Sequence, residues 1–470
     1  LLLSLGLLVY TIIHTWFKGW SPLFLVLLVL VVDQTADWSR VHPAYGMRYG
    51  GEQAVLYNDS TIALHNGPEM QEADMAHWTK MLDQWKLRTG EEKPRLILLN
   101  VSGGGLRSSV FTYAMWRYLD EQTDGAFSRH CVLITGASGG MMGAAYYREQ
   151  LGNRWQQDLE RSGRIEAGQQ GVGLDLLNPT AFNLVVNDLL VRFRQVEVSG
   201  HRYAIDRGYA FDRKLINNTD GQLGGELFDR GQGEREALIP PMIFSPTIVN
   251  GGRRLLISPQ PTSFLCTPVR NNVLRASEID GIELGRMFES RDARSLQLAT
   301  AVRMSASFPY ITPMVQLPSM PELQLIDAGV RDNDGFGLAL RFAEALSDWI
   351  ETNTSGVLVI RFRGDRQEQV EISEQSGRWT GRWLRPVGGV VRSFTNLQTY
   401  SKVEMRERFR SDELRPAYRD YYLFKQDEEF ALSWHLTEKE KRRIEQAVEQ
   451  LYSDSAEIAY WEGFFGSPSR

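Results

Sequence analysis

The sequence predicts an α/β protein built on a mainly parallel sheet, and three observations predict it. First, "RLILLNV" (95–101) and "CVLITGA" (131–137) are short, continuous apolar runs, as expected of strands buried on both faces. Second, each run ends in a tight glycine turn, "SGGG" and "GASGG". Third, each turn opens at once into a helical pattern, "RSSVFTYAMWRYLDE" and "GGMMGAAYYREQL". Strand, glycine turn and helix repeated in succession is the pattern that parallel α/β sheets leave in a chain.

The remaining elements follow in order. In the first helix Val110, Tyr113, Ala114 and Arg117 fall at helical spacing. "PPMIFSPTIV" and "RRLLISPQ" flank Asn250, Gly251 and Gly252, which predicts a hairpin. "LQLIDAG" and "GVLVIRFRGD" read as later strands, separated by the helical "LALRFAEALSDWIE". "LTEKEKRRIEQAVEQL" carries a capping box, Thr437 and Glu440, and an apolar stripe of Ile444, Val448 and Leu451. Another stripe, Phe182, Val185, Val186, Leu189, Leu190 and Phe193, reads most simply as core; the other reading is a lid or interfacial helix. The chain divides into residues 1–32, a connector at 33–92 with helix at "MQEADMAHWTKMLDQW", an α/β body at 93–365, and a mostly helical extension at 366–470 packed on the body.

Residues 1–32 break the globular pattern. "LLLSLGLLVYTIIHTWF" is uncharged, and "SPLFLVLLVLVV" follows after Lys18, Gly19 and Trp20. Roughly 20 apolar residues span a bilayer core. Each run is a little short, yet Trp16, Phe17 and Trp20 between them resemble an interfacial aromatic belt. The expectation is a transmembrane anchor, a helical hairpin or the last of several spans, with the first span beginning upstream of Leu1. A signal peptide fits less well, for want of a basic leading region and a small-residue cleavage site. Arg40 and Arg48 after the second run put the body on the cytoplasmic side.

Bulk properties narrow the partners. A formal net charge of −6 without a long basic block argues against nucleic acid. Cys131 and Cys266 are far apart in apolar settings, which argues against a disulfide framework. The seven histidines show no metal-ligand spacing, and no carboxylate cage for calcium is visible, so no metal or cofactor is implied.

"GASGG", Gly136 to Gly140, is a G-x-S-x-G sequence between strand and helix, the setting of a nucleophile elbow. So tight a turn lifts Ser138 clear of the sheet, at a helix N-terminus with its partial positive charge. Packing alone also produces small-residue turns. "TGASGG" further resembles the cofactor turn of short-chain dehydrogenases, but the last glycine of that pattern would fall at Met142, and Tyr421 with Lys425 lies too far away. Acyl transfer through serine develops an oxyanion, which bare backbone amides stabilise. Gly103, Gly104 and Gly105, ahead of a helix starting near Arg107, are candidate donors. A phosphate-cradling loop would need a lysine that is not there.

"SGGGLR", then "GASGG", then "DAGVRDNDG" (327–335) resembles the patatin-like and cytosolic phospholipase A2-like lipid acyl hydrolases, whose G-G-G-x-R loop, G-x-S-x-G elbow and D-G-[GA] motif come in this order. "VRMSASFPYITP" is similar to the family's A-S-x-x-x-P segment. The resemblance covers roughly residues 93–340. It implies a three-layer α/β/α fold and a Ser–Asp dyad, with Ser138 as nucleophile and Asp327 as base, acting on membrane phospholipid or lysophospholipid. Ala328 departs from the family's usual glycine, and its small methyl is expected to be accommodated. Arg107 contacts a lipid phosphate or pairs within the fold. Asp332, Asn333 and Asp334 read as turn formers. Three alternatives stay open: a Ser138–Asp327–His435 triad, a catalytically silent lipid-binding scaffold, and acyl transfer to an alcohol in place of water.

Overall fold

The computed structural model describes residues 2–24, 27, 41–51, 54–156, 171–188, 194–267, 276–307, 312–364, 416–423 and 433–465. In chain order they form α1 (Leu2–Phe17), α2 (Pro68–Thr89), β1 (Leu96–Val101), α3 (Gly105–Gln122), β2 (Cys131–Gly136), α4 (Ser138–Gln156) and α5 (Arg207–Asn218). Next come β3 (Met242–Phe244), β4 (Thr247–Ile248), β5 (Arg254–Leu256), β6 (Gly281–Glu283), α6 (Leu298–Ser305), β7 (Val315–Leu317) and β8 (Leu323–Ile326). The chain closes with α7 (Phe336–Ala345), β9 (Val357–Arg363), β10 (Ala417–Tyr422) and α8 (Glu438–Glu449).

The central sheet has the order β10-β9-β1-β2-β3, and every pairing in it is parallel. Its three middle strands are buried along their whole length, which is why β1 and β2 read as near-continuous apolar runs. The chain moves from β1 toward β3, then returns to β9 on the other side of β1. Right-handed crossovers in opposite directions put α3 and α4 on one face and α7 on the other. Trp78 of α2 packs edge-on against Phe342 of α7, with its ring N–H donating to the Pro261 carbonyl at 2.7 Å. Outside α3 lies α8, capped by Thr437 and Glu440 as the sequence predicts, with Ile444 and Val448 buried beneath it. Both cysteines are buried free thiols.

Three features differ from expectation. The hairpin around Asn250 joins β4 to β5, with Gly251 and Gly252 at positive φ, but β4, β5 and β8 belong to a second sheet, β7-β8-β4-β5-β6. That sheet is antiparallel except for the β5–β6 pair. β8 alternates buried and half-buried residues, as a strand covered on one face does. The segment expected as a connector is partly core: Ala44, Tyr45 and Met47 are buried, and a Cβ at Gly46 would overlap the Ser295 carbonyl. Near the other end, β10 is an edge strand of the central sheet within an extension expected to be mostly helical.

The predicted transmembrane helices are not seen among the described residues. No helix among the described residues is long and apolar enough to cross a membrane. The first apolar run forms α1, which ends at Phe17; most of the second run lies outside the described residues.

A buried ion pair locks the segment at residues 41–51 to the body. Arg303 Nε of α6 donates to Asp212 Oδ1 of α5 at 2.8 Å, and Arg303 also donates to the Pro43 carbonyl at 3.0 Å. Both side chains are out of solvent, so removing one partner strands a charge. Asp212→Ala is expected to destabilise the fold by about 3–5 kcal/mol, read from denaturant unfolding of the full chain.

Candidate active site

β1 ends in a loop tied to its neighbours. The Ser102 amide donates to the Phe362 carbonyl at 2.9 Å, and Ser102 Oγ accepts from the Gly364 amide at 2.7 Å, so the ends of β1 and β9 hold together. Gly104 and Gly105 have φ of +150° and +64°, conformations that side chains rarely adopt. Gly103 is needed for closeness instead: a Cβ there would lie 2.6 Å from Asn333 Oδ1 and 3.3 Å from Ser138 Cβ. The Gly103 amide already donates to the Asn333 carbonyl at 2.9 Å. Of the three predicted oxyanion donors it is therefore occupied, whereas no hydrogen bond among the described residues takes up the Gly104 and Gly105 amides.

The second turn places Ser138 at φ +51°, at the head of α4. A non-glycine residue in this region costs roughly 1–2 kcal/mol, which the surroundings must hold in place. They do so by backbone contact. A Cβ at Gly136 would overlap the Val101 carbonyl, and one at Gly140 the Ser102 carbonyl. Two further glycines share this duty and were not singled out from the sequence: at Gly139 a Cβ would overlap the Gly105 carbonyl, and at Gly143 the Ser109 carbonyl. Their signal was the glycine spacing along the first two turns of α4. With Ser138 at its head, α4 presents its first amides and the positive end of its dipole beside the hydroxyl.

Asp327 follows β8, so nucleophile and carboxylate come from different sheets. The Asp327 amide donates to the Ser307 carbonyl at 3.0 Å. Its Oδ1 accepts from the Gly329 amide at 2.7 Å, and the Ser138 side chain lies near enough to the carboxylate to draw its pKa down. Burial pushes the Asp327 carboxyl up to about 6, against the opposing pull of the Gly329 amide and the Ser138 hydroxyl. Ala328 is buried without left-handed backbone, so its methyl is accommodated, and Gly329 supplies the amide.

What holds the two sheets together here is the turn that follows. Asn100 Nδ2 of β1 donates to the Asp334 carbonyl at 3.2 Å, and Thr135 Oγ1 of β2 donates to the Gly335 carbonyl at 3.0 Å. Gly335 has φ +69°, and a Cβ on it would lie 2.5 Å from the Gly136 amide nitrogen. Asp332 and Asp334 do form turns, accepting from the Gly337 and Phe336 amides. Asn100 and Thr135 escaped the sequence reading because polar residues inside an apolar strand carry no mark of their partner.

The other named residues sit as follows. Arg107 is half-buried and folds back over its own loop, with Nε 3.4 Å from the point where a Gly104 Cβ would lie. His435 pairs with Asp175 at 3.2 Å and forms no hydrogen bond to Ser138 or Asp327 among the described residues, so the triad is not assembled. In the apolar stripe, Phe182 is 66% exposed, which overturns the core reading at that position; residues 189–193 lie outside the described residues. Tyr421, half of the rival dehydrogenase pair, is buried in β10 against Glu457, and Lys425 lies outside the described residues.

No match was found among curated proteins. Among solved structures, the chain is similar to human GIVD cytosolic phospholipase A2 in complex with methyl gamma-linolenyl fluorophosphonate, at 13% identity over 66% of this chain and 47% of that chain, with a TM-score of 0.30. It is similar to VipD from Legionella pneumophila at 11% identity, over 77% of this chain and 66% of that chain, with a TM-score of 0.29. The chain spans about half the length of the phospholipase chain, and likenesses this distant carry nothing about function. A family model described as patatin-like phospholipase matches residues 99–340, just over half of the chain and the stretch that holds both glycine turns and Asp327. The chain belongs to the patatin-like phospholipase family.

Proposed function

We propose that this protein is a serine acyl hydrolase that cleaves fatty acyl esters of phospholipids or lysophospholipids. The observation that carries the reading is the convergence of the Ser138 side chain on a buried Asp327 carboxylate, beside a glycine loop with two open amides. Asp327 takes the Ser138 proton as Oγ attacks the acyl carbonyl carbon. The oxyanion is held by the Gly104 and Gly105 amides and by the first amides of α4. Collapse expels the lipid alkoxide, which recovers the proton from Asp327. Water, with Asp327 again as base, then releases the fatty acid and restores Ser138. Arg107, beside the loop, is the proposed contact for a lipid phosphate.

We further propose that residues 1–32 anchor the protein to a bilayer, with the catalytic body on the cytoplasmic side. Leu7, Leu8, Trp16 and Trp20 stand exposed on and after α1, and a lipid surface would cover them. An anchored enzyme meets its lipid substrate at high effective concentration.

A fluorophosphonate probe is expected to label the wild-type chain and leave Ser138→Ala unlabelled; an unlabelled wild type that still binds lipid would favour the silent scaffold. His435→Ala is expected to keep turnover, whereas loss of turnover in a folded variant would restore the triad. Because burial raises the Asp327 carboxyl, it is protonated below about pH 6 and cannot accept the serine proton. The kcat/KM profile is therefore expected to fall about tenfold per unit on the acid side of an apparent pKa near 6, and Asp327→Asn to lose activity across the whole range.

A further inference from the structure

Asn333, read from the sequence as a turn former, borders the nucleophile and the base together. Its Oδ1 is 2.6 Å from the point where a Cβ on Gly103 would sit, and that point is 3.3 Å from Ser138 Cβ. The same oxygen is 2.8 Å from the corresponding point on Gly329, which in turn is 3.0 Å from Asp327 Oδ1. Its backbone carbonyl meanwhile accepts from the Gly103 amide at 2.9 Å. One residue thus fills the space against the glycine loop with its side chain and ties that loop down with its main chain.

We infer that Asn333 is a positioning residue of this site, its side-chain amide wedged between Gly103 and Gly329 so that the oxyanion loop and the base keep the spacing that reaction at Ser138 needs. The inference rests on the acyl-hydrolase reading above. A neutral amide suits the place. A carboxylate there would bring like charge near Asp327 and raise the pKa of one or both groups. An alanine would leave the space empty and let the loop settle toward the turn.

Two variants of the full chain test this, with a 4-nitrophenyl acyl ester as substrate and a fluorophosphonate probe in parallel. Asn333→Ala is expected to lower kcat by about 10–100-fold with KM within about twofold, because misplacement of reacting groups acts on the chemical step. Asn333→Asp, which preserves size, is expected to shift the acid limb of the rate profile upward by about one pH unit or more. A wild-type kcat in Asn333→Ala, or an acid limb in Asn333→Asp at the wild-type position, overturns the inference. If Asn333→Ala melts well below the wild type, the limb of Asn333→Asp decides alone. A wild-type chain that neither labels nor turns over instead brings down the hydrolase reading, and the inference with it.

Discussion

Three consecutive carbonyls, those of Asn333, Asp334 and Gly335, are seized by the ends of β1 and β2, and the site depends on that grip. The donors are the Gly103 amide, Asn100 Nδ2 and Thr135 Oγ1. Ser138 is carried by the parallel sheet and Asp327 by the antiparallel one, so neither sheet alone can assemble the pair. Each hydrogen bond contributes about 1 kcal/mol net, yet breaking one inside the protein leaves a buried polar group unsatisfied at a cost of about 1–3 kcal/mol. The grip is thus firm in the direction that matters, against opening. Gly335 lets it close, since any side chain there would press on the Gly136 amide.

The glycines of the two turns follow from the same demand for closeness. α4 begins with Gly139, Gly140 and Gly143 in its first two turns, and each glycine costs a helix roughly 1 kcal/mol relative to alanine. What offsets that cost is the approach of α4 to the backbone of Ser102, Gly105 and Ser109. The glycine loop and the elbow are pressed main chain to main chain, and the left-handed backbone of Ser138 is held by its neighbours on both sides. The three consecutive glycines after β1 serve two different ends. Gly103 makes room for Asn333, whereas Gly104 and Gly105 adopt conformations closed to other residues.

Features set by neighbours in the chain were legible in the sequence. The buried strands at 96–101 and 131–136, the elbow, the Asn250 hairpin turn and the Thr437–Glu440 capping box are local, and each leaves a local signature. Long-range partnerships were not. Tyr45 looks like a turn residue until Asp206 and Arg303 surround it, some 160 and 260 positions away. The strand at 417–422 reads as polar and aromatic because one side of an edge strand lacks a neighbour. β8 was recognised as a strand but not as part of a second sheet, because its short run of apolar residues does not reveal whether it pairs in parallel. For the site, Ser138, Asp327 and the loop were visible as motifs. The occupation of the Gly103 amide was not, since its acceptor lies 230 residues downstream.

The proposed mechanism needs a carboxylate kept clear of cations, and the fold keeps Asp327 so. Asp280 is also largely buried, but burial there is outweighed by Arg341, Arg254 and Arg331, which hold its carboxyl below the ordinary range. Arg331 contacts it at 2.5 Å and Arg341 at 2.7 Å. Arg331 is four residues from Asp327, yet its guanidinium turns away to Asp280 and to the Asp280 carbonyl. Asp327 is left with the Gly329 amide, the Ser138 hydroxyl and a dry surrounding, so its carboxyl rises to about 6. A shift of one unit corresponds to about 1.4 kcal/mol of basicity, gained without an imidazole. With its carboxyl near 6, the group is still mostly ionised at neutral pH. In the proposed reaction this balance lets it accept the serine proton, and a guanidinium contact of the Asp280 kind would abolish it.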